Sequence, residues 1–167
     1  MTSWSDVERE APTLAAAVRA RFDAYRHKTL ATIRRDGSPR ISGTEATFLD
    51  GELWLGMMPG SMKARDLLRD PRLAIHCATI DASMVEGDAK IAGLAILVRD
   101  PALLRRLMHT APDTEVSEEQ LEEAATASHL FRVQVSEVVL TRLGQPADHL
   151  VIDQWHPGRG VQRTERR

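Results

Sequence analysis

Cysteine occurs once in this chain, at Cys77, so no disulfide can form within it. Long apolar runs are missing too: no stretch reaches the roughly 20 consecutive apolar residues that a membrane-spanning helix needs. The opening residues, Met1-Thr2-Ser3-Trp4-Ser5-Asp6, are polar and do not resemble a signal peptide. Charge of one sign is also lacking. The formal net charge is -2, which gives no long-range pull toward nucleic acid or an anionic membrane. Arg159, Arg163, Arg166 and Arg167 near the end have no aromatics among them, and we read them as a solvated tail. His27, His76, His109, His129, His149 and His156 are scattered, without the close spacing of a zinc site. No Gly-x-Ser-x-Gly occurs, so the hydrolase nucleophile elbow is absent. These absences point to a cytoplasmic protein with small-molecule partners and without metal, nucleic acid or membrane.

What is present suits one domain over residues 1–167, with 43% apolar and 28% charged residues, enough for a proper core. A helix is predicted from Pro12 to about Arg26, where Leu14, Val18 and Phe22 recur at four-residue spacing among alanines. Thr29–Ile33 reads as a first strand, and Asp36-Gly37 as a hairpin turn. A second strand is expected from Arg40 to about Phe48, then Asp50-Gly51 turns the chain into a third at Glu52–Met57. Three such strands make an antiparallel meander.

Leu73–Cys77 and Lys90–Val98 read as further strands, and Asp100-Pro101 as an N-cap with proline at the first helical position. That helix has one apolar face, Leu103, Leu104, Leu107 and Met108. Ser117-Glu118-Glu119-Gln120 is a capping box for another helix, through about Thr126. Leu130–Val135 continues past an irregularity at Ser136-Glu137 into Val138–Leu143, and His149–Trp155 is the last strand. The fold expected is mainly β with peripheral helices: an antiparallel β-barrel of six to seven strands, closed or nearly so.

The chemistry is expected in the stretch from Met57 to Arg72. Pro59-Gly60 is a turn, Ser61 an N-cap, and a helix runs to about Arg69 before Asp70-Pro71 stops it. Its free N–H groups and positive dipole end would meet whatever lies above the preceding strand. Lys63 and Arg65 add positive charge where the dipole favours negative side chains, which a bound anion would compensate. The residues read equally as a phosphate seat or as two solvated basic side chains on an exposed turn.

In order and spacing, Leu30-Ala31-Thr32-Ile33, Asp36-Gly37-Ser38-Pro39, Gly51-Glu52-Leu53-Trp54-Leu55, Ser61–Leu67 and Asp70-Pro71-Arg72-Leu73-Ala74 form a pattern over residues 28–78. It resembles the split-barrel flavin-binding superfamily typified by pyridoxamine 5′-phosphate oxidase, including its deazaflavin (coenzyme F-420)-dependent relatives. The resemblance implies a split β-barrel and a cofactor phosphate on the Ser-x-Lys turn, here Ser61, Met62 and Lys63. It places the ring against Ser42, Gly43, Thr44 and Glu45 on one strand and Gly56 and Met57 on another. It also implies a homodimer whose Trp155 and Arg159 approach the partner's site. Small residues at Ser42, Gly43 and Gly56 would let a flat ring approach the backbone.

The oxidase proper carries arginine where this chain has Ser42 and Met62, which argues against pyridoxamine phosphate as substrate. The expected function is therefore an FMN- or coenzyme F-420-dependent oxidoreductase, passing hydride to or from a small conjugated substrate. The alternative is a non-enzymatic flavin or haem carrier on the same barrel. Redox chemistry would belong to the cofactor, so no acid–base pair is required. Glu45, Glu86 and Asp88 are candidate proton handlers, against the plainer reading of exposed carboxylates, and no catalytic residue is assigned. His76 and the buried-type Cys77 read as structural.

Overall fold

The computed structural model describes residues 2–79, 82–109 and 117–167. In chain order these form α1 (Trp4–Glu10), α2 (Pro12–Asp23), β1 (Lys28–Ile33), β2 (Pro39–Thr44), β3 (Thr47–Leu49), β4 (Glu52–Met57) and α3 (Met62–Arg69). There follow β5 (Arg72–His76), β6 (Asp88–Val98), α4 (Pro101–His109), α5 (Glu118–Ala127), β7 (His129–Leu143), β8 (Leu150–His156) and β9 (Gly160–Arg166).

One antiparallel sheet of nine strands runs β2-β1-β5-β6-β7-β4-β3, with β8 paired to β7 and β9 to β8. Its two end strands, β2 and β3, are neighbours in sequence, joined only through Glu45-Ala46. The sheet therefore rolls into a split barrel whose seam is bridged by chain rather than by ladder bonds. This corrects the expected meander. The stretch from Arg40 to Phe48 is two strands on opposite edges, because the chain must leave β1's side to pair with β4. The Asp50-Gly51 turn does form, with both residues at positive φ as a type I′ hairpin requires. Gly51 has a second constraint: a Cβ there would lie 3.0 Å from that of Ser5, whose amide donates to the Gly51 carbonyl.

The inward face carries Leu30, Leu53, Leu55, Ile75, Ile91, Phe131, Val133, Val135 and Val138, all but fully buried. Alternation along the strands puts them there, and a bulge keeps the long β7 in phase. Ala92 faces Glu137 but Gly93 faces Val135, leaving Ser136 extra, at the irregularity expected from sequence. Gly93 fits because a Cβ there would sit 2.2 Å from the Gln134 carbonyl oxygen.

Leu14, Val18 and Phe22 of α2 are buried as their spacing predicts. The sequence reading missed α1. Ser3 caps it, its hydroxyl accepting from the Asp6 amide while its own amide donates to the Asp6 carboxylate, and the Trp4 ring centroid lies 4.5 Å from that of Phe48. The arginine-rich tail is not loose: it is β9, paired with β8 along its length. Helix α5 opens at Glu118, one residue after the predicted cap, but the side chains of Glu118 and Gln120 fall outside the described residues. Asp100 caps α4 through a 2.9 Å bond from the Leu103 amide.

The helix next to the candidate site is fastened from below. Asp66 of α3 is buried, and its carboxylate accepts from Thr32 of β1 at 3.0 Å, Arg40 of β2 at 2.6 Å and Arg69 at 3.1 Å. Burial alone pushes this carboxyl up, but the bonds from Arg40, Thr32 and Arg69 outweigh it and hold it below the usual range. Asp6 is brought down to about 2, chiefly by the Ser3 amide and hydroxyl. Both folded-state values lie below the unfolded one, so their stabilisation is complete above the ordinary aspartate value of 3.8 and is lost as pH falls through the folded values. Thermal melts from pH 5 to 2 should show a falling midpoint, and Asp66→Asn should flatten that fall. An equally steep fall in the variant would assign the acid sensitivity elsewhere.

Candidate functional site

At the seam of the barrel lies a cavity of about 420 Å³, within the range of small-molecule sites. The seam connection supplies Gly43, Thr44, Glu45 and Thr47, strand β4 supplies Gly56 and Met57, and the following turn supplies Met58, Ser61 and Lys63. Helix α4 closes one side with Leu104, Leu107 and Met108, and Arg26, His27 and Ser128 complete the lining.

Ser61 is the N-cap residue of α3, but its hydroxyl makes no capping bond. The oxygen is buried and has no hydrogen-bond partner among the described residues. A buried hydroxyl of this kind is uncommon in native proteins and is usually satisfied by a ligand or water. Beside it, the α3 ladder begins with the Arg65 amide bonding the Ser61 carbonyl, so the amides of Met62, Lys63 and Ala64 have no intrahelical acceptor. The Lys63 ammonium reaches across the cavity to donate to the Gly43 carbonyl at 2.6 Å. Burial lowers its pKa from 10.5, against the pull of Glu45. Arg65 does not line the cavity; its guanidinium lies back toward Gly60.

At the rim, Arg26 and Glu45 form a 2.9 Å ion pair. Beneath them the buried Lys28 donates to the Arg26 carbonyl at 3.0 Å, and burial likewise lowers its pKa. The two cavity glycines differ. A Cβ on Gly43 would meet nothing within 4 Å, whereas one on Gly56 would touch Leu104 Cδ1 at 3.7 Å. Both glycines are exposed; the open backbone face is on the Gly43 side, and Leu104 lies beside Gly56.

Of the residues singled out in the sequence, the structure brings Gly43, Thr44, Glu45, Gly56, Met57, Ser61 and Lys63 into this one cavity. Ser42 is half-buried on β2, opposite Leu30, and Met62 is exposed; neither lines it. Trp155 needs correction. It is wholly buried in this chain's own core, so it cannot extend to a second subunit. Arg159 stands exposed on the β8–β9 turn, outside the cavity. Sequence reasoning missed Arg26, His27, Thr47, Met58, Ser128 and the α4 residues. The apolar face of α4 was visible, but nothing in the sequence says that it faces the seam. Among the described residues no group of three or more His, Cys, Asp or Glu is placed to hold a metal ion. No helix among them is long and apolar enough to cross a membrane.

Several solved structures share this architecture. A conserved hypothetical protein of Mycobacterium tuberculosis, Rv2991, is 27% identical over 72% of this chain and 79% of its own, with a TM-score of 0.60. An F420 reductase is 21% identical over 66% of this chain and 86% of its own, with a TM-score of 0.52. A pyridoxamine 5′-phosphate oxidase-related, FMN-binding protein of Nostoc punctiforme PCC 73102 is 16% identical, with a TM-score of 0.63, and the match covers 94% of this chain and 96% of that one. At such identities the last two show the fold alone. No curated protein sequence matches. The model of the pyridoxamine 5′-phosphate oxidase family matches residues 14–142, from the core helix α2 to the end of β7, and the chain belongs to that family.

Proposed function

We propose that the seam cavity binds a phosphorylated flavin-type cofactor, FMN or the deazaflavin F-420, and that the protein is an oxidoreductase acting on a small conjugated substrate. The observation that carries this reading is the buried, unpartnered Ser61 hydroxyl beside Lys63 and the free amides of α3. Hydroxyl, ammonium and amides all donate, and a phosphate has oxygens enough to accept from them together. Solved neighbours that include an F420 reductase and an FMN-binding protein support the choice of cofactor class.

In this arrangement Ser61 and Lys63 hold the phosphate. The open backbone of Gly43 with Thr44 and Glu45 faces the ring, and Leu104 is its apolar contact on the Gly56 side. When bound, such a ring supplies hydride exchange with a conjugated molecule stacked on it. Leu104, Leu107 and Met108 keep that stack dry. The second reading, a carrier that binds without turnover, predicts the same titration but no reaction. Steady-state oxidation of reduced cofactor by a quinone or nitroaromatic acceptor separates them: turnover supports the enzyme, and tight binding with none supports the carrier.

A homodimer belongs to the same proposal. Ile41, Ala31, Ala74 and Ala92 are in register across β2, β1, β5 and β6 on the outer face of the sheet, opposite the buried one. Ile41 is 75% exposed there, and Leu94 lies on the same face. The row beside it passes through Gly43, so a second copy seated on this face would also wall the cavity. Light scattering over a dilution series should give twice the chain mass, and Ile41→Lys should shift it toward monomer. Monomer throughout would remove the dimer.

A further inference from the structure

A second chamber adjoins the first. It has a volume of about 240 Å³ and lies where the ends of β6 and α5 meet the starts of α4 and β7. Leu104 and Ser128 line both chambers. The polar residues of the second are Arg99, Asp100, Thr126, Ser128 and His129. Only three buried side-chain polar atoms lack a partner among the described residues: Ser61 Oγ, His129 Nδ1 and Trp155 Nε1. Ser61 is a lining residue of the first chamber and His129 of the second. The two strands align these walls, since Met57 of the first chamber pairs in register with His129 of the second.

We propose that this chamber receives the polar, uncharged tail of the substrate, a group of the carboxamide kind, while the conjugated ring lies in the first chamber. The proposal rests on the reading of the first chamber as the ring site. The chamber's volume is several times the roughly 30 Å³ share of one water, so it has room for a substituent. Its charges cancel, Arg99 against Asp100, and one Asp100 oxygen is already held by the Leu103 amide at 2.9 Å. The lining therefore offers a charged tail no net opposite charge. The hydrogen-bonding groups are mixed. The Ser128 hydroxyl can donate or accept, and Thr126 donates to the Glu122 carbonyl at 2.9 Å but keeps lone pairs to accept. The free nitrogen of His129 donates in one tautomer and accepts in the other. A carboxamide, carrying both a carbonyl and an NH₂, satisfies either tautomer; an alkyl tail would leave the nitrogen unpaired.

The test uses the full chain in three steps. FMN is titrated first. Two 1,4-naphthoquinones of nearly equal shape are then titrated into the FMN-saturated protein, one with a propanamide tail and one with a 3-methylbutyl tail. The pair is repeated on His129→Phe, which keeps the ring that stacks on Phe131 with centroids 6.2 Å apart. Losing one hydrogen bond to a buried group should lower the amide-to-alkyl affinity ratio by about tenfold in the variant. An unchanged ratio, or no binding of either quinone to the FMN-saturated protein, overturns the second chamber's role. Failure of both FMN and F-420, titrated in its place, to bind overturns the ring site beneath it. Should His129→Phe not fold, the ring nitrogen resonances of His129 in the wild type carry the same test. They must move with the amide probe and stay with the alkyl one, and an equal response to both overturns the proposal.

Discussion

Replacing Lys63 by alanine is expected to weaken FMN binding about ten- to a hundredfold while leaving riboflavin nearly unaffected. A hydrogen bond to a charged group contributes about 1.5–3 kcal/mol net, and each 1.4 kcal/mol is tenfold in affinity. Riboflavin has no phosphate and so makes no use of this charge. The distinction matters because Lys63 also donates to the Gly43 carbonyl. That acceptor sits on an exposed edge strand, where water can replace the ammonium at small cost. Equal losses for the two ligands would place the effect in the fold and not in the phosphate seat. Because burial lowers the Lys63 pKa, the preference for FMN over riboflavin should begin to fade at a lower pH than an ordinary lysine allows. Arg65→Ala should change little, since its side chain lies back toward Gly60.

The second large effect is on stability. Asp66→Ala should destabilise the protein by about 3 kcal/mol, read as a lower urea midpoint with unchanged slope. Breaking a buried ion pair typically costs about 3–5 kcal/mol. The low end applies because Arg69 is 37% exposed and Arg40 is 19% exposed, so both can recover some hydration. Thr32 loses its acceptor as well, and α3 its fastening to β1 and β2. Arg106→Ala breaks a pair in which both side chains are about three-fifths exposed, and should cost no more than about 1 kcal/mol. Similar costs for the two would mean that Asp66 is not what ties the helix down.

Much of this was legible in the sequence wherever a local rule and the global fold agree. The four-residue spacing in α2, the Asp50-Gly51 turn and the interruption at Ser136 each have a local cause that packing reinforces. Strand β9 was not legible, because all its side chains after Gly160 are exposed and no alternation marks them. Helix α1 was hidden by its own shortness, and by an Asp6 that takes the place of the usual glutamate in the capping box. The break between β2 and β3 is a property of closure: two pairings compete for one stretch of chain, and only the rolled sheet decides between them. At the site, the turn from Ser61 to Lys63 could be read from propensity and charge alone. The α4 wall could not, because Leu104 and Leu107 read as core in any context.

The seam cavity is expected to take a phosphorylated flavin-type ring. The most direct measurement is equilibrium titration of the full chain with FMN and, in parallel, with F-420, followed by quenching of ring fluorescence. Saturation by at least one of them is expected at one equivalent per chain, weakened by Ser61→Val, which fills the unpartnered hydroxyl position with a methyl group. No saturable binding of either, or binding indifferent to Ser61→Val, would contradict it.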